Sequence, residues 1–524
     1  MGDLGNLLMG FQIAVTPLNL GVAVIGIVLG TIIGVLPGLG GANGVAILLP
    51  VTFVMPPTSA IILLTSIYWG ALFGGAITSI LFNIPGEPWS VATTFDGHPM
   101  ARQGLGAQAL IGAFSASFVG ALFSIVLVSF FAGPLAEVAL RFGPPEFFAI
   151  QLLTFSALIG LGGGSPIKTL TATLIGFILA TVGLDIVTGK LRLTFDFIPL
   201  MRGFSFIVAV IGLFGIGEIL LTVEEGLRFR GERARIGLRD LLATWRELAG
   251  CWLTFLRGAL IGFWMGFKPG GATPASFMSY GFAKRFSKHP ERFGKGTLEG
   301  VVAPETAAHA AGVAALLPML TLGIPGSPTA AVILGGFLIW GLQPGPLLFK
   351  EQPDFVWGLI ASMYTGNVIG VLVVLLFVPA FAAILRLPFA ALTPIIVFVC
   401  AIGAYTVNKA MLDVWYMLIF GVIGYVFKKL DYPLAPLVLA LVLGDMTETA
   451  VRQSLIMSQG SLGIFFTRPI AAVITSAALL ILFSPALLPL LRRARRTLQR
   501  ARPEPAAALQ PGAALAGAGE ASRR

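Results

Sequence analysis

Apolar residues recur in long runs along most of the chain, and polar residues are confined to short stretches between them. Residues 60–82 and 110–131 show this pattern clearly. A run of about 20 apolar residues is long enough to cross a bilayer core of about 30 Å, so the pattern predicts transmembrane helices. We count about 10 to 14 crossings or half-crossings, two kinds that hydropathy does not separate. The predicted fold class is an all-α polytopic membrane protein.

The composition agrees with this prediction. Hydrophobic residues make up 56% of the 524 residues and charged residues 11%, whereas a soluble protein carries about 25% charged residues. Cys251 and Cys400 both lie in apolar segments, which indicates buried side chains rather than a disulfide.

Glycine and proline interrupt the apolar runs at four places. Two are Gly34–Pro50 (G-V-L-P-G-L-G-G-A-N-G-V-A-I-L-L-P) and Lys268–Thr273 (K-P-G-G-A-T), which we call the first and second tip segments. The others are Ile84–Pro88 (I-P-G-E-P) and Ile324–Pro328 (I-P-G-S-P), which we call the first and second breaks. An opened backbone inside a membrane is tolerated only where it packs in protein or lines a wet cavity. The four interruptions therefore predict a transport site.

The interruptions occur twice in the same order, which predicts an internal repeat. Pro37-Gly38 corresponds to Pro269-Gly270, and Leu184-Asp185 corresponds to Leu430-Asp431, at a spacing that drifts slowly along the chain. The linker between the repeats has apolar residues at helical spacing, which favours an amphipathic surface helix over a plain loop. The predicted organisation is a transmembrane repeat over residues 10–227, a basic linker over 228–250, a second repeat over 251–462, an extra helix over 466–491 and a disordered tail over 492–524.

Positive charge is concentrated in residues 228–247, residues 284–295 and the tail after Arg492, in a chain of formal net charge +10. Basic clusters beside membrane spans mark the cytoplasmic side, which places the linker and the C-terminus there. Residues 251–283 lie between two such clusters and are short for two spans, which favours a re-entrant hairpin. The first tip segment has no basic residue nearby, so the two repeats are expected to be inverted. Nucleic-acid binding is not favoured, because the clusters lie at loop ends without a reading surface.

The tips and breaks supply most of the candidate site residues. Open helix ends at such places present unpaired amides to an anion and carbonyls to Na⁺ or a proton. The candidate substrate-binding residues are Pro37, Gly38, Gly40, Gly41, Asn43, Lys268, Pro269, Gly270, Gly271, Thr273, Ser276, Pro325, Gly326, Ser327 and Thr329. The candidate ion-coupling residues are Asn83, Pro85, Gly86, Glu305, Thr306 and Asp445.

Each of these assignments has a structural alternative. Glycine and proline also permit close packing or a kink in transmembrane helices. Lys268 can hold a substrate carboxylate, or its charged end can reach water. Glu305, Thr306 and His309 share helical spacing and can form a proton or ion site or cap the end of a span. Asp445 can coordinate a cation or serve a structural role near the membrane interface.

The sequence lacks the motifs of the common enzyme classes. It has three histidines and no H-E-x-x-H, so no zinc site is expected. It has no Walker-type phosphate loop, so ATP hydrolysis is not expected. An intramembrane protease would need a nucleophile paired with a base, and no serine has an evident histidine partner. We therefore predict neither an enzyme nor a bound cofactor.

Several stretches together resemble one known family. G-V-L-P-G-L-G-G, K-P-G-G-A-T, V-A-P-E-T-A, T-L-G-I-P-G-S-P-T-A-A-V and V-G-L-D-I-V-T-G are similar to motifs of the large permease subunit of the tripartite tricarboxylate transporters, the TctA family. The resemblance covers about residues 10–490 and shows no departure in these stretches. The glycine-rich motifs of the family fall on Gly34, Pro37, Gly38, Gly40, Gly41, Pro269, Gly270, Gly271 and Thr273.

The resemblance implies a permease of the bacterial inner membrane that works with a small TctB-like membrane subunit and a periplasmic TctC-like binding protein. It implies import of a di- or tricarboxylate such as citrate by symport, driven by a Na⁺ or H⁺ gradient through alternating access. The alternative is a stand-alone carrier or a channel for small organic anions that needs no binding protein.

Overall fold

The computed structural model describes residues 3–36, 39–161, 165–185, 188–225, 236–267, 271–384 and 389–483. Helices make up nearly all of these ranges. Their β-structure is one short antiparallel hairpin, in which β1 (Gly183–Leu184) pairs with β2 (Leu191–Arg192). The predicted all-α fold class is confirmed.

The described ranges contain the following helices in chain order. The helices of the first half are α1 (Asp3–Ala14), α2 (Pro17–Val35), α3 (Gly40–Leu48), α4 (Pro57–Phe82), α5 (Val91–Met100), α6 (Gly106–Ala139), α7 (Pro144–Leu161), α8 (Pro166–Ala180), α9 (Phe206–Val210) and α10 (Gly217–Glu225). The later helices are α11 (Leu238–Ala249), α12 (Trp252–Gly266), α13 (Ala272–Phe286), α14 (Leu298–Ala314), α15 (Leu316–Leu322), α16 (Pro328–Ile339), α17 (Leu348–Glu351), α18 (Pro353–Ile384), α19 (Phe389–Asn408), α20 (Met411–Lys429), α21 (Leu434–Met457) and α22 (Ile464–Thr467).

Eight helical segments of the described ranges are long and apolar enough to cross a membrane. They are Pro17–Val35, Pro57–Phe82, Pro88–Ala139, Phe206–Glu224, Leu298–Leu322, Pro353–Ile384, Met411–Lys429 and Leu434–Met457. Helices α3 and α16, which follow the first tip and the second break, are apolar but too short to cross alone. The chain is therefore a multi-pass membrane protein, and the re-entrant segments stay a prediction.

The linker and the extra C-terminal helix are described in part. Helix α11 is the amphipathic helix favoured for the linker, and it meets α12 at an angle of 77°. Residues 226–235 of the linker region lie outside the described residues. An apolar helix over Pro469–Phe483 corresponds to the predicted extra helix, and residues 484–524, which include the tail, lie outside the described residues.

Two ladders of glycine bring neighbouring helices into close contact. Glycines four residues apart lie on one face of a helix, as Gly26, Gly30 and Gly34 do on α2. A Cβ atom at Gly30 would overlap the backbone carbonyl of Ile67 on α4. The second ladder, Gly258, Gly262 and Gly266 on α12, packs in the same way against α14. Small residues at these positions allow the backbones to approach, as is common between transmembrane helices.

The breaks pack against these ladders in matching ways. A Cβ atom at Gly86 would lie 2.5 Å from the carbonyl oxygen of Gly34, and one at Gly326 would lie 2.5 Å from that of Gly266. The predicted internal repeat stays a prediction. The inverted orientation of the two copies in the membrane stays a prediction.

The two halves interlock, because long helices of each half pack on the other. Helix α6 lies along α14, where the Ser124 hydroxyl donates to the Ala310 carbonyl at 2.8 Å. Helix α18 lies along α1, α2 and α4, and α8 packs on α21. The largest apolar core surrounds α4, α14 and α16, close to both breaks.

Candidate functional site

The two breaks are helix stops followed at once by helix restarts. Helix α4 ends at Asn83, a left-handed residue with φ 57°, and α15 ends at Gly323 with φ 73°. Left-handed residues commonly end helices, and proline is favoured at the first position of the next one. The new helical turns begin at Pro88 and at Pro328. Proline, glycine and the left-handed residue thus leave an irregular backbone between two buried helices.

The first tip segment meets the first break through Glu87. The backbone N–H of Gly41, at the start of α3, donates to Glu87 Oε1. Gly40 has φ +58°, and a Cβ atom there would lie 2.7 Å from Glu87 Oε1. The start of a helix carries a partial positive charge and unpaired amides, which favour a carboxylate. The chain therefore places its own anion at the start of α3.

The first tip segment also meets the second break. A Cβ atom at Gly41 would lie 3.4 Å from the Thr329 hydroxyl and 3.4 Å from the ring of Tyr68. The Tyr68 hydroxyl lies 3.4 Å from the Ser327 hydroxyl, and all three of these side chains are buried. Ser327 also caps α16, because its oxygen accepts the N–H of Ala330 at 3.1 Å.

Helix α13, which follows the second tip, contacts the turn that follows the first break. Ser276, one turn into α13, is fully buried, and its hydroxyl donates to the Trp89 carbonyl at 2.7 Å. Gly271 is buried and Thr273 is half-buried beside it. The remaining second-tip candidates (Lys268, Pro269 and Gly270) and two first-tip candidates (Pro37 and Gly38) lie outside the described residues.

The contacts of Glu87, Gly41 and Thr329 bring the first tip and the two breaks together in one region. We call it the junction and define it by Gly40, Gly41, Tyr68, Glu87, Ser327 and Thr329. Asn43 is buried one turn further along α3. Apart from Glu87, the groups of the junction are an amide and hydroxyls, all of which can donate hydrogen bonds to an anion.

A second polar cluster lies in the interface between the two halves. Glu305 on α14 is 2% exposed and accepts hydrogen bonds from Thr93 Oγ1 at 2.6 Å and Ser117 Oγ at 3.2 Å. His309, also 2% exposed, places Nδ1 3.6 Å from Glu305 Oε2. We call Thr93, Ser117, Glu305 and His309 the Glu305 cluster. A carboxyl group with two hydroxyl donors and an imidazole in a dry interior can bind or release a proton.

The comparison with known proteins decides the family. The sequence profile of the tripartite tricarboxylate transporter TctA family matches residues 20–439, a range that contains both tips, both breaks and the Glu305 cluster. The chain belongs to the TctA family.

Two relatives from Agrobacterium vitis are similar to this TctA-family protein. One, described as an uncharacterized 52.8 kDa protein in the TAR-I ttuC′ 3′ region, is 40% identical over 502 residues, or 94% of this chain and 98% of the relative. The other, described as an uncharacterized protein in the TAR-II ttuC′ 3′ region, is 40% identical over 238 residues, or 45% of this chain and 97% of the relative. No solved structure matches the chain.

The remaining ion-coupling candidates of the TctA-family chain lie in different surroundings. The Thr306 hydroxyl donates to the Val302 carbonyl of its own helix at 2.8 Å, so its bond is a local one. Asn83 is exposed at the end of α4, and Pro85 and Gly86 form the first break itself. Within the described ranges, no group of three or more His, Cys, Asp or Glu residues could hold a metal ion.

Asp445 lies with ion pairs next to the β-hairpin. Arg192 pairs with Glu448 at 2.8 Å, and Arg452 pairs with Asp185 at 3.0 Å. These four residues line a small cavity together with Asp445. The hydrogen bond to Glu448 raises the pKa of the Arg192 guanidinium, which keeps that side chain charged. The arrangement favours the structural alternative for Asp445.

Sequence reasoning did not select Glu87, Tyr68, Thr93 and Ser117. An acidic residue directly after a break between two spans was a usable signal for Glu87, because charges inside membranes tend to be functional. Thr93 lies in the same polar stretch, whereas Tyr68 and Ser117 lie within apolar runs and carry no local signal. The contacts of all three with the opposite half exist only in the folded chain.

Proposed function

We propose that this chain is the large membrane subunit of a binding-protein-dependent secondary transporter that imports di- or tricarboxylates such as citrate. In this proposal the chain works in the bacterial inner membrane with a TctB-like subunit and a TctC-like binding protein, and a Na⁺ or H⁺ gradient drives uptake. The observation that carries the proposal is the junction of the first tip with both breaks, in a chain of the TctA family.

The chemistry of the junction suits a carboxylate. Backbone amides at the start of α3 and the hydroxyls of Tyr68, Ser327 and Thr329 can donate to its oxygens. Glu87 already takes one of these amides, and two carboxylates at one helix start repel each other. A substrate carboxylate would therefore enter as Glu87 swings away or is neutralised.

Transport would follow from relative motion of the broken segments. The short helices α3 and α16 meet at the junction, and each is connected to a long span through a tip or a break. Irregular backbone at such places can absorb changes in φ and ψ while the long spans stay rigid. The junction would face one side of the membrane and then the other, as alternating access requires.

The test is uptake of labelled citrate, succinate and malate into cells expressing this chain, with and without its partner subunits and with Na⁺ and pH gradients varied separately. Uptake that requires the binding protein and one gradient supports the proposal. Uptake by this chain alone would instead identify a stand-alone carrier. No uptake of any carboxylate by the complete complex would overturn the substrate class.

A pair of matched variants connects the activity to the junction. Thr329→Val removes a junction hydroxyl without changing side-chain shape, and a lost hydrogen bond to a charged ligand costs about 1.5–3 kcal/mol. We therefore expect uptake at low substrate concentration to fall about tenfold or more. Thr321→Val is the control, since Thr321 is equally buried and its hydroxyl donates to the Leu317 carbonyl of its own helix. Equal uptake by the two variants would refute the placement of the site.

A further inference from the structure

The Glu305 carboxyl group is buried, and no lysine or arginine of the described residues forms an ion pair with it. Thr93 donates to Oε1 at 2.6 Å, and the Ser117 hydroxyl lies 3.2 Å from Oε2 and is shared with the Ala113 carbonyl at 2.8 Å. Among the ion pairs of the described residues, Glu305 pairs with His309, whose Nδ1 lies 3.6 Å from Glu305 Oε2. An unpaired carboxylate in apolar surroundings is costly, and binding a proton removes that cost.

His309 is equally enclosed. Its Nδ1 lies 3.2 Å from the Glu305 carbonyl, and its ring packs at 5.0 Å from the ring of Phe73. Its Nε2 atom is buried and has no hydrogen-bond partner among the described residues. A ring hydrogen-bonded on one nitrogen by a backbone carbonyl and enclosed by an aromatic ring fits a neutral imidazole.

The other charged or titratable groups on the surrounding helices are engaged elsewhere. On α5, Asp96 accepts the N–H groups of residues 294, 296 and 297 and the hydroxyl of Tyr280 from α13. Glu299, earlier on α14, accepts from Thr254 and Ser287. Arg257 on α12 lies over the ring of Phe286, and α6 contributes Ser117 as its polar group beside Glu305. Titration of the cluster therefore depends chiefly on Glu305 and His309.

The cluster connects the two halves and touches the segment that follows the first break. Thr93 lies on α5, directly after the turn Pro88–Ser90, and Ser117 lies on α6. Glu305 and His309 belong to the second half. When the two breaks are aligned in the sequence, Glu305 and His309 correspond to Thr65 and Trp69 of the first half. Neither of these side chains binds or releases a proton near neutral pH. A single such site would therefore exist in each chain.

We propose that Glu305 binds the coupling proton, so that the gradient used by this transporter is one of H⁺. An O–H bond forms on the Glu305 carboxyl group with a proton from water on one side of the membrane, and the same bond breaks towards water on the other side. Hard cations such as Na⁺ prefer all-oxygen sites, whereas an imidazole is a member of this cluster. The inference rests on the proposed function, because a coupling proton exists only in a transporter.

A movement of α5 would link this proton to the junction. The charged form of Glu305 can only accept a hydrogen bond from Thr93, whereas the protonated form can donate to Thr93 Oγ1, which reverses the hydrogen bond to α5. Helix α5 begins at the break that contains Glu87. Protonation would therefore bias the break, and with it the contact between Glu87 and Gly41.

The first test is infrared spectroscopy of the purified full chain in lipid nanodiscs between about pH 5 and about pH 9, a range that brackets titration of a buried carboxyl group. The difference between the wild type and Glu305→Gln should contain the carbonyl stretch of a protonated carboxyl group that titrates with pH. Glu299→Gln, on the same helix, should retain this band. A difference spectrum without it at every pH would overturn the proposal.

Thr93→Val provides a second spectroscopic test, in which Glu305 is left unchanged. The band should persist and shift in frequency, because the carboxyl group loses a hydrogen-bond partner. An unshifted band would also overturn the assignment. These spectra need no substrate, so they separate the proton site from the proposed transport activity.

The transport test uses the complete complex in sealed vesicles with labelled citrate. Glu305→Gln mimics the neutral form permanently, so it should retain exchange of citrate for citrate and lose accumulation driven by a pH gradient. Accumulation driven in the wild type by Na⁺ without a pH gradient would overturn H⁺ coupling. A titrating band together with no carboxylate uptake would refute the proposed substrate and leave the proton site standing.

Discussion

The contact between Gly40 and Glu87 gives the sharpest prediction about the junction. Gly40 begins α3 with φ +58°, a conformation that L side chains rarely adopt. A Cβ atom there would lie 2.7 Å from Glu87 Oε1, 2.9 Å from Cδ and 3.0 Å from Oε2. Gly40→Ala must therefore strain the backbone and displace the carboxylate from the Gly41 amide.

The size of the effect follows from the backbone strain at residue 40 and from the lost hydrogen bond between Gly41 and Glu87. A left-handed conformation costs an ordinary residue about 1–2 kcal/mol. Loss of a hydrogen bond to a charged group costs about 1.5–3 kcal/mol. Together, the backbone strain and the lost hydrogen bond raise the free energy of the observed tip conformation by about 2.5–5 kcal/mol. The population of that conformation then falls by about 60-fold to about 4,000-fold. Each transport cycle must return to this arrangement, in which Glu87 holds the empty tip, so the substitution should abolish most uptake.

Gly104→Ala is the matched control. Gly104 also has a left-handed conformation, φ +82°, but a Cβ atom there would meet nothing within 4 Å. Gly104→Ala therefore introduces the backbone strain without the clash with Glu87. The assay compares uptake of labelled citrate by the two variants at equal amounts of protein in the membrane. Wild-type uptake by Gly40→Ala, or equal loss in both variants, would refute a role for the contact.

Two further predictions concern stability. Arg452→Gln removes the ion pair between Arg452 and the buried carboxylate of Asp185, and we expect about 1.5–3 kcal/mol of destabilisation, seen as a lower melting temperature of the purified chain; an unchanged melting temperature would rule this out. Gly262→Val forces a side chain into the Ala307 carbonyl and should destabilise the chain by about 1–3 kcal/mol, whereas Gly281→Val, at a position with nothing within 4 Å, should leave the melting temperature unchanged. Similar melting temperatures for these two variants would contradict close packing of α12 on α14.

The sequence was sufficient to predict the helical membrane fold and the places where helices break. Both depend on local properties, namely the length of apolar runs and the positions of proline and glycine. The glycine ladder around Gly262 and the stop at Gly323 are visible in the same local way. The family also follows from local motifs, since K-P-G-G-A-T and I-P-G-S-P are contiguous stretches.

The partners of the polar groups could not be predicted in this way. Thr93 and Glu305 are 212 residues apart, and Tyr68 and Ser327 are 259 apart. Such pairs depend on how the two halves interlock, which no local pattern encodes. Glu87 shows the same limit, because its bond to Gly41 requires the first tip to fold back onto the first break.

The central claim is that a carboxylate substrate occupies the junction, and substrate protection of a thiol tests it most directly. Ser327→Cys is placed in a chain whose Cys251 and Cys400 are replaced by alanine, and Ser461→Cys, at an exposed position, is the control. Both are labelled with a small thiol reagent in a complex that transports citrate. If a carboxylate substrate occupies the junction, citrate should slow labelling of Ser327→Cys and leave labelling of Ser461→Cys unaffected. Labelling of Ser327→Cys at the same rate with and without transported citrate would show that the substrate does not occupy the junction.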